Sequence, residues 1–109
     1  MPARDQLRGT LEALVLKTLT WGPRHGYAIA RWLEDTTDEV LRVEEGSLYP
    51  ALYRMEHRGW VKSDRRMSEL GRPAKFYQIT AAGRRHLRAE IAEWLVFARE
   101  VARVLQAEA

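Results

Sequence analysis

The spacing of apolar positions changes along this chain, and the changes divide it into elements. From Gln6 to Thr20, Leu7, Leu11, Leu14, Val15 and Leu19 recur at steps of three and four, which predicts an amphipathic helix. Thr20-Trp21-Gly22-Pro23 breaks that helix. Gly26 to Asp35 predicts a second helix, with Tyr27, Ile29, Ala30 and Leu33 facing inward. Thr36 to Glu45 has no clear period and reads as an acidic connector. Ser47 to Arg58 predicts a third helix. Ser47 is placed to cap it, and Pro50 is expected in the first turn, where a missing N–H costs nothing. Leu48, Leu52 and Met55 form its buried side, Gly59 ends it, and Tyr49, Tyr53, Arg54, His57 and Arg58 are left for the outer faces.

Beyond Gly59 the period changes. Trp60 to Arg65 and Ala74 to Ile79 read as two strands, joined by the turn-rich segment Ser68-Glu69-Leu70-Gly71-Arg72-Pro73. Thr80 then caps a long helix from Ala81 to about Gln106. Three helices, a basic hairpin and a last long helix make a mainly α, α+β fold. The expected architecture is a winged helix-turn-helix over residues 1–80, followed by a C-terminal dimerisation helix over 81–109. In that architecture the third helix enters the major groove and the hairpin, or wing, reaches the adjacent backbone or minor groove.

Charge sharpens this reading. Between Gly46 and Arg88 ten basic residues stand against three acidic ones, a net of +7, while the rest of the chain is at −4. A basic middle with acidic flanks suits a polyanion. The whole chain has 109 residues, one domain's worth, and a net charge of +3. With no cysteine, disulfides, thiolate metal sites and cysteine nucleophiles are all excluded. His25, His57 and His86 fall on separate elements, and no glycine-rich phosphate loop or zinc-helix spacing occurs. The expectation is therefore a non-enzyme without metal or cofactor. No apolar run approaches the ~20 residues of a membrane span. Met1 to Arg8 lacks an apolar signal core, so a cytoplasmic location is expected.

Four segments resemble the PadR-type transcriptional regulators, in the right order. They are Gly9-Thr10-Leu11-Glu12-Ala13-Leu14-Val15-Leu16-Lys17-Thr18-Leu19, then His25-Gly26-Tyr27-Ala28-Ile29-Ala30, then Gly46 to Glu56 closing at Gly59-Trp60, and finally Arg72 to Gly83. The resemblance implies a dimeric DNA-binding repressor whose subunits join through the C-terminal helix. A single helix there resembles the family's short subclass.

Within this frame, Ser47, Tyr49, Tyr53 and Arg54 of the third helix are candidate contacts to double-stranded DNA. Phenol and serine hydroxyls can bond phosphate, and arginine can pair with phosphate or with guanine. Packing of Tyr49 and Tyr53 against neighbouring helices is the alternative. Arg72 and Lys75 are the wing candidates, with Arg65 and Arg66 adding to the same field. On the last helix Leu87, Ile91, Trp94, Ala98, Val101 and Leu105 step by four and three, a heptad seam expected to form the homodimer interface. In multidrug-sensing relatives an aromatic pair at the dimer centre stacks a flat ligand. By that resemblance Trp94, with Phe97 and Val101 as walls, is a candidate site for a small aromatic effector, the alternative being plain dimer packing. The rival for the whole chain is a winged helix that binds only protein.

Overall fold

The computed structural model describes the backbone of residues 3–109 and the side chains from residue 9 onward. Helix α1 spans Ala3–Thr18 and runs into a 3-10 turn, Leu19–Trp21. The side chain of Leu7, the first position of the expected stripe, lies outside the described residues. Strand β1, Arg24–His25, precedes α2, Gly26–Thr36. Then come α3 (Glu45–His57), β2 (Val61–Met67), β3 (Pro73–Ile79) and α4 (Ala81–Leu105). The winged-helix order is therefore present, with β1 as an added third strand in the sheet order β1-β3-β2.

The core gathers one face of each element: Val15, Leu16 and Leu19, then Ile29 and Leu33, then Leu48, Ala51, Leu52 and Met55, closed by Val61, Tyr77, Ile79 and Leu87. Leu16, outside the expected stripe, is fully buried, whereas Leu11 and Leu14 are only partly so. The cause is that α1 is covered on two sides, by α4 and by the other helices. Tyr27 corrects an expectation. It stands two residues before the buried Ile29, about 200° round a helix, and is 63% exposed.

Each helix start has its own chemistry. At α2 the imidazole of His25 is the cap, its Nδ1 accepting from the Ala28 N–H at 3.1 Å. Helix α3 starts two residues before the expected cap. Glu44 takes the N-cap position without a side-chain bond, and its carbonyl accepts from the N–H groups of Ser47 and Leu48. Ser47 is thus the third helical residue and Pro50 the sixth. Pro50 therefore removes a real helical bond, the one to the Gly46 carbonyl. Acidic Glu44 and Glu45 suit the positive end of the helix dipole.

Helix α4 begins on Thr80, whose Oγ1 accepts from the Gly83 N–H at 3.0 Å and donates to the Gly59 carbonyl at 2.6 Å. A Cβ on Gly83 would sit 2.1 Å from the Trp60 carbonyl oxygen. This close approach locks the first turn of α4 onto the turn between α3 and β2. Trp60 then stacks on His86 at 3.6 Å between ring centroids.

Candidate nucleic-acid interface

The hairpin's register decides which cations act together. Arg65 pairs with Lys75, Ser63 with Tyr77 and Met67 with Pro73, so these side chains share one face. Arg66 pairs with Ala74 on the other face. There it lies over Phe76 and donates from Nε to Asp64 Oδ1 at 2.8 Å. The two arginines expected to reinforce one field are therefore divided between two faces. Only Arg65 stands beside Lys75, and it makes no ion pair with any described residue. The wing tip closes through Ser68, whose N–H donates to the Arg72 carbonyl at 2.8 Å, and through Gly71 at a φ of 76°. A left-handed φ of that kind suits glycine. Arg72 is exposed at this tip.

Lys75 Nζ lies 3.3 Å from Glu56 Oε1 of α3 and 5.5 Å from the centre of the Tyr77 ring. Glu56 Oε2 accepts from the Ser63 hydroxyl at 2.5 Å. That bond first, and Lys75 second, hold the Glu56 carboxyl below the usual glutamate range. A depressed pKa stabilises the fold above that range, and the contribution is lost as pH falls through it. Burial pushes the Tyr77 phenol up.

Helix α3 carries the other candidates on different flanks. Tyr49 leans toward the wing with its ring across Gly26, where a Cβ would come within 2.7 Å of the hydroxyl. Glycine at that position is what admits the tyrosine. Tyr53 is 72% exposed and stacks on His57, with Pro50 and Ser47 also exposed nearby. Arg54 lies seven residues after Ser47, on the same flank, and turns toward α1. Its Nε is 3.6 Å from Oε2 of Glu12, a carboxylate 3% exposed. Neither atom has a hydrogen-bond partner among the described residues. The structure therefore joins Tyr49 and Lys75 on one groove, leaves Ser47 and Arg72 exposed, stacks the exposed Tyr53 on His57, and turns Arg54 to the buried Glu12. Glu12 was missed. Its signal was a lone carboxylate within the apolar run Leu11 to Leu16.

On α4 the expected seam splits in two. Leu87 is 5% exposed and belongs to the domain's own core, with Ile91 packed against it. Past Ile91 the apolar face is open: Trp94, Phe97, Val101 and Leu105 are exposed and Ala98 is half-buried. Trp94 borders a crevice of about 220 Å³ between α1 and α4, and its ring meets that of Phe97 at 5.7 Å. Phe97 and Val101 line the outer face of the helix with Val96 and Val104.

The transcriptional regulator PadR-like family model matches residues 15–89, which include α2, α3, the wing and the first turns of α4. The chain belongs to this family. Solved structures agree with it. A PadR-like regulator from Bacillus cereus is 30% identical, with 95% of this chain and 99% of that one covered, at a TM-score of 0.78. A PadR family regulator from Eggerthella lenta is 35% identical over 94% of this chain and 88% of its own, at 0.77. A transcriptional regulator from Clostridium thermocellum is 28% identical over 91% and 96%, at 0.81. This PadR-like chain is thus a winged-helix transcriptional regulator. Among its described residues no helix is long and apolar enough to cross a membrane.

Proposed function

We propose that this PadR-like chain is a homodimeric repressor that binds a palindromic operator in double-stranded DNA and carries out no catalysis. The observation that carries the reading is the outer face of α3, left open beside a wing whose Arg65 and Lys75 stand side by side. Ser47, Tyr49 and Tyr53 would meet the major groove, and Arg72 and Lys75 the flanking backbone or minor groove. The uncovered half of α4, from Trp94 to Leu105, supports pairing with a second copy. The winged-helix core then includes the first turns of α4, and the dimerisation segment begins after Ile91. A flat aromatic effector stacked on Trp94, with Phe97 and Val101 beside it, would release the operator by altering the angle of the paired helices. An effector shifts that equilibrium only through its differential affinity for the two states. Loss of dye binding and fluorescence quenching in Trp94→Ala is the expected result for that site. Unchanged quenching in the variant removes it.

Selection of a randomised duplex pool on the purified protein tests the main reading. Enrichment of a two-fold symmetric sequence is expected. No enrichment, with duplex binding insensitive to salt, would instead favour a module that binds only protein.

A further inference from the structure

Beside α3 lies a groove of about 430 Å³ whose rim combines Tyr27 of α2, Tyr49 of α3, and Arg65 and Lys75 of the wing, with the buried Tyr77 in its lining. Among the described residues no carboxylate lines it. Two lining residues meet acids: Lys75 meets Glu56, and His25 Nε2 lies 3.4 Å from Glu69 Oε1. Two observations mark this rim. Arg65 and Lys75 stand directly opposite each other in the antiparallel register, an arrangement that is destabilising for like charges. Glu56 offsets only Lys75, and Arg65 makes no ion pair with any described residue. Tyr27, on the outward side of α2 with the exposed Arg31 one turn on, keeps a large phenol 63% exposed at the same rim, its ring touching protein at His25, 6.4 Å between centroids.

We propose that this groove seats one backbone phosphodiester of the bound duplex. Arg65 is its charged donor, the Tyr27 and Tyr49 hydroxyls are its neutral donors, and Lys75 is a second cation shared with Glu56. A strand lying along α3 crosses the groove on its way to the wing, so the seat fixes the register of the recognition helix on the DNA. The inference rests on the DNA-binding reading and adds two residues, Tyr27 and Arg65, from outside the recognition helix. Arg66 is the internal control. It neighbours Arg65 in sequence and is also exposed, but it sits on the opposite face of the hairpin, paired with Asp64.

The test is the salt dependence of binding to a duplex of arbitrary sequence, for the wild type, Arg65→Ala, Arg66→Ala and Tyr27→Phe, each verified as folded by circular dichroism. In Arg65→Ala the slope of log K against log salt should fall in magnitude by about 0.9 for each protomer engaged, with Arg66→Ala unchanged. Tyr27→Phe should weaken binding about three- to tenfold at an unchanged slope, because a neutral donor displaces no counterion. Equal losses in the two arginine variants, or a wild-type slope in Arg65→Ala, overturn the seat while leaving DNA binding intact. A wild type with no salt-dependent duplex binding overturns the functional reading and the seat together. Titration with inorganic phosphate at constant ionic strength separates a free anion from the backbone. Arg65-dependent phosphate binding with no change in duplex slope assigns the groove to a small anion and overturns the proposal.

Discussion

Arg54→Ala is expected to lower the free energy of unfolding by about 2–3 kcal/mol while leaving the salt slope of duplex binding nearly unchanged. The reason is Glu12. Its side chain is 4% exposed, and the cation beside it at 3.6 Å is Arg54, whose side chain is 32% exposed. Removing one partner of a fully buried pair costs about 3–5 kcal/mol, because the other charge is left uncompensated. Arg54 is a third exposed, so water already shares the load and the lower figure applies. Urea unfolding at one fixed protein concentration measures the loss, since the proposed dimerisation would make stability depend on concentration. The double variant Glu12→Gln with Arg54→Met should recover much of it, as no buried charge then remains. A fully stable Arg54→Ala with a slope reduced by about one unit per protomer would return Arg54 to the DNA surface.

Phe97→Asp combined with Val101→Asp is expected to convert a dimer into a folded monomer, halving the mass seen by light scattering. Both side chains are exposed in the single chain, 42% and 39%, so the substitutions leave the domain core intact. In a dimer built on this face they would bury carboxylates without partners, at several kcal/mol each. Leu87→Asp is the contrasting case. Leu87 is buried within its own domain, and that variant should lose helical circular dichroism as well as mass. An unchanged dimer mass in the double variant would place the interface elsewhere.

The elements that the apolar pattern located best are those whose packing is local and one-sided. Leu48, Leu52 and Met55 are buried as their spacing requires, and Thr80 caps α4 where the sequence placed it. Strand β1 escaped because two residues cannot display a period. Arg24 and His25 are held by pairing with Tyr77 and Phe76, more than fifty residues away in sequence. The start of α3 lies earlier because the Glu44 carbonyl already accepts from the Ser47 and Leu48 N–H groups, which puts Ser47 inside the helix. Composition pooled Arg65 and Arg66, whereas strand alternation separates them. Arg54 looked like an outer-face cation on α3 alone. Only the approach of α1 shows that its flank carries a buried carboxylate. Long-range partners, rather than local preference, decide the surroundings of Arg54 and Arg66 that the sequence did not display.

The footprint of the protein on DNA is the decisive measurement. Helix α4 has 25 residues, about 37 Å at 1.5 Å per residue, a length that fits two recognition helices one duplex turn apart. Hydroxyl-radical footprinting on the selected duplex should therefore show two symmetric patches of protected backbone, with centres about one helical turn, ~34 Å, apart. A single protected patch, or uniform protection with no fixed position, would contradict a dimeric operator-binding regulator.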